Sequence, residues 1–474
     1  MLFNGQSRRL PQQFRLVLAS FLQRPGLPFA EALTEESIQT AFDEEGVSFA
    51  AGEDTVYTPA ITLWAFLSQV LFKDEQRSCA AAVARVVVLL VALERGPCSS
   101  NNGAYCRARA KLSEAAIHRL AVDVASGCEK QIEKKWLWRG RHVRLVDGTT
   151  VSMPDTPDNQ AAYPQPASQE KGLGFPMARL VVLLSLATAM VTDLAMGPYT
   201  GKETGETALL RQLLSRFTRG DILLADRYYC SYFMIALLME SDVDFVTRVH
   251  QRRDTDFRRG RRLGKNDHLI EWRRPERPEW MDLETYERMP LVIRIREIHV
   301  HVGQRGFRVE SLVVVTTLMD AHEYTPDDIA ELYGFRWLAE LDIRAIKTTM
   351  GMDILRCKTP SMIRKEIWTC LLAYNLIRRA MLQSAQGSGR SPRQLGFSAA
   401  LQAIAASWQV LVLSSDSLAA RLVEAELENL SDHLVGNRPG RVEPRAVKRR
   451  PKPHDLLMKP RAQARAELLG VASS

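Results

Sequence analysis

Five polar side chains recur at helical spacing in LYGFRWLAELDIRAIKTTMGMD, residues 332–353. They are Tyr333, Arg336, Glu340, Arg344 and Lys347. Because an α-helix brings residues three and four apart onto one side, the spacing predicts a stripe with a phenol, a carboxylate and three cations. Such a stripe suits a metal ion beside a phosphate backbone. It also suits a solvated helix surface, whose ion pairs contribute about 0.3–0.5 kcal/mol each.

Two aspartates elsewhere in the chain could complete a set of oxygen ligands with Glu340. Asp147, in LVDGTT, is predicted to end a strand, where Asp-Gly is also common in ordinary turns. Asp226 ends the buried run DILLAD. In-line attack on a phosphodiester develops charge on two oxygens, which two Mg²⁺ ions about 4 Å apart can stabilise. Hard ions of this kind prefer oxygen ligands, so the three acids are candidate metal ligands.

A family resemblance supports this interpretation. Tyr333, Arg336, Glu340 and Lys347 match all four fixed positions of Y-(2)-R-(3)-E-(6)-K, and the chain resembles the IS-four group of insertion-sequence DDE transposases. LVDGTT and ILLADRYY resemble the two aspartate motifs of that family. The resemblance is strongest over residues 140–380. It implies an α/β fold whose RNase H-like core has a mixed five-stranded sheet, with a β-rich insertion between the second Asp and the Glu.

The resemblance also implies chemistry and partners. Asp147 would bridge two Mg²⁺ or Mn²⁺ ions, with Asp226 and Glu340 each completing one of them. The substrate would be double-stranded DNA, cut from the transposon ends and joined to a target, with a homodimer in the synaptic complex. A hairpin intermediate would need an aromatic pocket for a flipped base. The aromatic candidates for it are Trp272, Trp280 and Trp337.

The elements that must position the acids follow from local patterns. HVRLVDGTTVSMPDT, with its Asp-Gly, predicts a hairpin, and the apolar run 178–199 predicts another strand or strand pair. A helix at 204–217, a strand at 221–226, a helix at 231–240 and a strand at 244–250 are predicted next. Thr325, Pro326 and Asp328 predict the start of the helix that carries Glu340.

Basic residues concentrate in three segments. The net charge is +8, but the distribution of the charge says more than its sum. In the first segment, 105–112, a DNA-backbone contact and a solvated helix face are equally open readings. The tail 438–465 holds ten basic and two acidic residues and predicts a disordered nucleic-acid arm or a solubilising tail. The loop opening at residue 251 supplies further DNA-binding candidates: Arg252, Arg253, Arg258, Arg259, Arg261 and Arg262.

These patterns predict three regions. Residues 1–135 form a helical DNA-binding domain, residues 136–385 a catalytic domain interrupted by the insertion 251–318, and residues 386–474 a C-terminal region with the basic tail. The segment 383–392 is expected to be a flexible linker by composition.

Several classes are disfavoured. Seven cysteines form no C-x-x-C pair, so neither a disulfide framework nor a zinc knuckle is predicted. GPYTGKET differs from a phosphate-binding loop in its glycine spacing, so no nucleotide cofactor is expected. The longest apolar runs fall short of the about 20 residues of a membrane span, and the cytoplasm is the expected location. A structure-selective nuclease and a catalytically inactive or domesticated DNA-binding protein remain alternatives.

Overall fold

A nine-stranded mixed β-sheet forms the centre of the structure. The structure is a computed structural model that describes residues 33, 35–46, 49, 55–72, 74–92, 96, 98–301, 311–413, 416–436 and 456–470. The strands are β1 (Val143–Ser152), β2 (Met177–Ser185), β3 (Val191–Pro198), β4 (Ile222–Ala225), β5 (Asp244–Arg248), β6 (Arg261–Gly264), β7 (Asp267–Arg273), β8 (Val292–His301) and β9 (Ser311–Thr316).

The strand order is β3-β2-β1-β4-β5-β9-β8-β7-β6. Strands β1, β4 and β5 run parallel, and every other neighbouring pair is antiparallel. The predicted β insertion therefore does not form a sheet of its own. Its last strand pairs with β5, Val246 opposite Thr316, so the insertion extends the five strands that precede it into one sheet.

Strand β1 corrects one prediction. Asp-Gly does not form a hairpin turn here, because β1 continues from Val143 to Ser152 with Asp147 in its middle. Pairing with β2, which continues through Asp147 and Gly148 to Ser152, holds this backbone extended, and this tertiary pairing outweighs the turn preference of Asp-Gly. The predicted strand or strand pair at 178–199 is the antiparallel pair β2 and β3.

Helices cover both faces of the sheet. They are α1 (Glu35–Glu44), α2 (Pro59–Leu71), α3 (Cys79–Ala92), α4 (Gly103–Lys111), α5 (Glu114–Glu129), α6 (Pro157–Ala162), α7 (Glu206–Gln212), α8 (Tyr232–Glu240), α9 (Leu283–Arg288), α10 (Pro326–Gly334), α11 (Trp337–Arg344), α12 (Pro360–Ser388), α13 (Phe397–Leu413), α14 (Asp416–Asp432) and α15 (Arg461–Leu468). None of the helices in the described part of the chain has the length and apolar character that a bilayer span requires.

The two faces of the sheet contribute to different hydrophobic cores. Successive side chains of a strand point to opposite faces, so Leu145 enters a core with α2, α5, α10 and α12, while Val146 enters one with α7 and α8. Helix α12 packs along α5 and also contacts α2, α13 and α14. The N-terminal helices therefore share one core with the face of the sheet that carries Asp147.

Helix α12 corrects a second prediction. The segment 383–392 is not a flexible linker throughout, because α12 continues to Ser388 and ends at Gly389, whose φ is 68°. Ser384 and Ala385 are buried, and the Ser384 hydroxyl donates to the carbonyl of Leu427 at 2.6 Å. Burial against α14 explains why a composition typical of linkers is helical here. The tail residues 438–455 lie outside the described residues.

The helix that carries Glu340 is divided. Thr325 caps α10, and its side chain and that of Asp328 form the predicted reciprocal capping box. A turn at residues 335 and 336 separates α10 from α11, and α11 passes into a π-helix over Ala345–Thr349. The five polar residues therefore lie on three short segments and not on one regular helix. Their arrangement differs from the single stripe that a regular helix would give.

Candidate functional site

Asp147 and Asp226 lie at the same level of two neighbouring parallel strands. Leu145 of β1 pairs with Leu224 of β4, and each aspartate follows its leucine by two residues. Neighbouring strands are about 4.8 Å apart. Helix α11, which carries Glu340, packs against β1. The fold thus brings the three predicted acids to one end of the sheet.

The carboxylate of Asp147 is mostly shielded from solvent. Its pKa is raised to about 6, mainly by burial and with smaller contributions from the nearby Glu340 and Glu206 carboxylates. The amide of Gly148, which donates to Oδ1 at 2.9 Å, and the guanidinium of Arg336 oppose that rise. Asp147 is therefore held where negative charge is costly, which a nearby cation would relieve.

Asp226 begins a single turn of 3₁₀-helix. Its Oδ1 accepts a hydrogen bond from the amide of Tyr228 at 3.1 Å, and its carbonyl accepts one from the Thr247 hydroxyl at 2.8 Å. Thr247 lies in β5, so the backbone of Asp226 is fixed to the neighbouring strand. The position directly after a buried strand is the one predicted from DILLAD.

Arg336 is paired directly with one of the acids. Its Nη2 donates to Oε1 of Glu340 at 2.7 Å, and its side chain is 20% exposed. Burial lowers the pKa of Arg336, but Glu340, Tyr333 and Asp226 outweigh that effect and raise it. Since Arg336 also lowers the pKa of Asp147, this one guanidinium interacts with all three predicted acids.

The other three residues of the stripe have different surroundings. Tyr333 is 8% exposed, and burial raises its pKa to about 12. Arg344 is exposed. Burial lowers the pKa of Lys347, and the charge that opposes this is Asp353. Of the predicted DNA contacts in this region, Arg344 is the most accessible.

The basic loop of the insertion is largely exposed, but part of its charge is paired. Arg258 and Arg259 both form ion pairs with Asp256. Arg253 lies over the ring of Trp272, 3.6 Å from its centroid, and burial lowers its pKa. The remaining predicted contacts, Arg252, Arg261 and Arg262, are exposed.

The aromatic candidates are covered to different degrees. Trp272 is 5% exposed beneath Arg253. Arg211 lies 3.8 Å from the ring centroid of Trp280, and Trp337 is partly buried. Trp272 and Trp280 are each stacked against an arginine, so neither presents a bare ring to a base.

Glu206 and Tyr229 are two candidate functional residues that were not identified from the sequence. Glu206 begins α7, and its Oε2 accepts a hydrogen bond from the hydroxyl of the buried Tyr229 at 3.3 Å. A Cβ added to Gly148 would lie 2.2 Å from the carboxyl carbon of Glu206. The only sequence signal was an acid at a helix start beside the rejected GPYTGKET.

The chemistry of this site suits a hard cation. Four carboxylates, Asp147, Asp226, Glu340 and Glu206, interact electrostatically around one end of the sheet. Within the described residues, no group of three or more His, Cys, Asp or Glu side chains is gathered closely enough to hold a metal ion, and Arg336 supplies positive charge between the acids. Carboxylates beside cations on a mixed sheet are typical of enzymes that transfer phosphodiesters.

Comparison with known proteins gives the family. Residues 138–376 match the family described as "Transposase DDE domain", which is half of the chain. The protein belongs to this family and is a DNA transposase, an enzyme that cleaves DNA and transfers strands. Members of the family generally use divalent metal ions.

Two relatives and one solved structure illustrate the similarity. The chain is 27% identical to the transposase InsG for insertion sequence element IS4 of Escherichia coli (strain K12), over 73% of this chain and 76% of that protein. It is 26% identical to the transposase for insertion sequence element IS421 of Escherichia coli, over 55% and 70%. A piggyBac transposase chain, from a cryo-EM synaptic complex with hairpin DNA, is 10% identical with a TM-score of 0.41, over 92% and 88%.

Proposed function

We propose that this transposase moves an insertion sequence by cut-and-paste transposition, using Asp147, Asp226 and Glu340 as its reactive carboxylates. The observation that carries the proposal is the shared level of Asp147 and Asp226 on parallel strands, with Glu340 on the helix packed against β1. Acids that are 79 and 114 positions apart in sequence thereby lie on neighbouring elements of the fold (226−147 and 340−226).

The chemistry of the proposed metal ligands, rather than their present spacing, suits two Mg²⁺ or Mn²⁺ ions. The donors are carboxylate oxygens, and Arg336 already provides positive charge among them. When bound, the ions would activate the attacking oxygen and stabilise the leaving one. Asp147, the most central acid, would bridge the ions, with Asp226 and Glu340 each completing one of them. The Arg336 side chain would leave Glu340 and contact a DNA phosphate. Lys347 and Tyr333 would also contact DNA phosphates.

The proposed architecture is an RNase H-like core with additions. The strand order β3-β2-β1-β4-β5 and the parallel course of β1, β4 and β5 support it. We retain the predicted division at residue 135 and the insertion at 251–318, and we move the division predicted at residue 385 to the end of α12 after Ser388, as the proposed domains. Their functional roles are end recognition by the N-terminal helices and strand chemistry by the core.

The proposed partners are the two transposon ends and the target DNA. Arg252, Arg261 and Arg262 are exposed on the insertion and would contact phosphates, as would Arg344. Pairing of two ends requires two protomers, so we propose a homodimer in the synaptic complex. No nucleotide cofactor is needed, because strand joining exchanges one phosphodiester for another.

A cleavage and joining assay tests the proposal. Duplexes carrying the terminal repeats of the element are incubated with Mg²⁺ and wild type, Asp147→Asn, Asp226→Asn or Glu340→Gln. We expect the affinity of each variant for the transposon ends to be within a few-fold of wild type. Cleavage should be at least about 100-fold slower, because the three carboxylates act together on one transition state. Glu331→Gln is the matched control, since Glu331 is exposed on α10.

Three outcomes contradict the proposal. Variants that cut as well as wild type would refute the acidic triad. Cleavage without joining of pre-cut ends to a target duplex would instead favour the structure-selective nuclease. An inactive wild type that binds ends tightly would favour a domesticated DNA-binding protein.

A further inference from the structure

Glu206 approaches the site from the opposite face of the sheet to Glu340. Helix α7 packs on β2 and β3 and also contacts the turn that follows Asp226. Its Leu209 and Leu210 lie in the core with Val146, whereas Ala339 and Ile343 of α11 lie in the core with Leu145. The two glutamates therefore flank β1 at the position of Asp147.

The backbone of β1 leaves room for this carboxylate. A Cβ built on Gly148 would lie 2.2, 2.4 and 2.5 Å from the three carboxyl atoms of Glu206. Real Cβ contacts are not that short, so any larger residue would displace the carboxylate. Gly148 is not among the glycines with positive φ, so glycine is required here for space rather than for backbone conformation.

Tyr229 holds the carboxylate in that position. Tyr229 is fully buried, and its hydroxyl donates to Glu206 Oε2 at 3.3 Å. Burial raises the pKa of Glu206 and the nearby Asp226 raises it further, while Tyr229 and Arg179 oppose that rise. Tyr229 follows Asp226 by three residues, so one turn carries both an acid of the triad and the group that orients Glu206.

We propose that Glu206 is a fourth carboxylate of the metal site and that Tyr229 is its positioning residue. This inference rests on the function proposed above, because it concerns the ion held by Asp147 and Asp226. Glu206 would add a negatively charged oxygen to the surroundings of that ion from the face of β1 opposite Glu340. Hard divalent ions gain affinity with each carboxylate that faces them or their water ligands.

A purely stabilising role for Glu206 predicts a different outcome. An acid in the first turn of a helix interacts favourably with the helix dipole, by about 0.3–1 kcal/mol. If Glu206 did no more than that, replacing it would lower stability slightly and leave metal binding unchanged. A measurement of metal affinity that does not depend on cleavage therefore distinguishes a metal-site role from a stabilising role for Glu206.

The experiment measures Mn²⁺ binding by the full chain on its terminal-repeat duplex, using the electron paramagnetic resonance signal of the free ion. Wild type is compared with Glu206→Gln, Tyr229→Phe, Gly148→Ala and Asp147→Asn. Glu203→Gln is the matched control: it lies three residues earlier, is 57% exposed and pairs with Arg211. Melting temperatures in EDTA show whether each variant folds.

We expect Glu206→Gln to weaken Mn²⁺ binding at least tenfold and Glu203→Gln to leave it unchanged. Gly148→Ala should match Glu206→Gln, because it displaces the carboxylate without removing it, and Tyr229→Phe should have a smaller effect in the same direction. If Asp147→Asn weakens binding but Glu206→Gln does not, the fourth carboxylate is refuted and the triad stands. If Asp147→Asn binds Mn²⁺ as wild type does, the metal site of the proposed function fails.

Discussion

The Arg336 guanidinium donates a hydrogen bond to the Glu340 carboxylate at 2.7 Å. Arg336 lies one helical turn before Glu340, at the start of α11. The same guanidinium lowers the pKa of Asp147 and has its own pKa raised by Asp226. An ion pair four residues apart on a solvated helix contributes little. This pair differs because Arg336 also offsets the repulsion among carboxylates that belong to three separate elements.

Replacing Arg336 should alter the pH dependence of cleavage. In Arg336→Ala the carboxylate of Asp147 loses a neighbouring positive charge, so its pKa rises further and the acidic limb of the pH–rate profile moves to higher pH. We expect a shift of about 0.5–1 pH unit and a rate at least about tenfold lower at pH 7. The measurement is single-turnover cleavage from pH 5.5 to 9.

Arg344→Ala is the control for that prediction. Arg344 is exposed on the same helix, so its loss should weaken DNA binding without moving the limb. Equal shifts in the two variants would mean that the effect comes from general charge rather than from the contact with the acids.

The raised pKa of Asp147 predicts a pH-dependent cost to stability in the absence of metal. The unfolded chain loses this proton near 3.8, and the folded protein loses it near 6. The free energy of unfolding should therefore fall as the pH rises between those values and stay lower above them. Asp147→Asn removes this cost, so in EDTA it should be more stable than wild type by roughly 1–3 kcal/mol at pH 8.

Urea unfolding at pH 4 and pH 8 checks the sign of that difference. The advantage of Asp147→Asn should be largely gone at pH 4, where the wild-type carboxyl is almost fully protonated in the folded state and partly protonated in the unfolded chain. An equal advantage at both pH values would show that the substitution acts through packing instead.

A buried charge cluster should hold the helix of Glu340 in place. Asp342 has a side chain 3% exposed and accepts from Arg378 and Arg393, each at 2.9 Å. Arg393 also donates to the carbonyl of Ser185 at the end of β2. Asp342→Ala leaves two arginines without their shared carboxylate and should destabilise the protein by about 3–5 kcal/mol.

Thermal and urea unfolding measure this effect. Glu331→Ala, an exposed acid on α10, should change stability by less than about 0.5 kcal/mol. A loss in Asp342→Ala no greater than in Glu331→Ala would exclude a stabilising role for the cluster.

The exposed arginines of the insertion should contribute to the salt dependence of DNA binding. Each phosphate contact adds about 0.9 to the slope of log K against log salt. Arg262→Ala should reduce that slope by about one. Arg219→Ala is the control, because the Arg219 side chain is 85% exposed. Arg219 precedes β4, so it lies at the opposite end of that strand from Asp226. Unchanged slopes in both variants would remove Arg262 from the DNA interface.

Much of the site was predictable where its information is local. The signature from Tyr333 to Lys347 lies within four turns of chain, and Asp226 follows a strand recognisable from DILLAD alone. The capping box of Thr325 and Asp328 was also predicted and is present, because it too depends on residues three apart. Such features follow from backbone periodicity and need no knowledge of distant partners.

Other features depended on tertiary structure. The sequence by itself identified the candidate acids and cations and predicted the order of the elements from β2 to β5. Pairing of β1 with β2 along its length made one strand of the predicted hairpin, and burial against α14 extended α12 through a segment that resembles a linker. Glu206 meets Gly148, which lies 58 residues earlier (206−148), because α7 packs on β2, the neighbour of β1, and on β3. Contacts between distant segments depend on how the sheet and its helices close together, and local patterns in the sequence carry no signal for that.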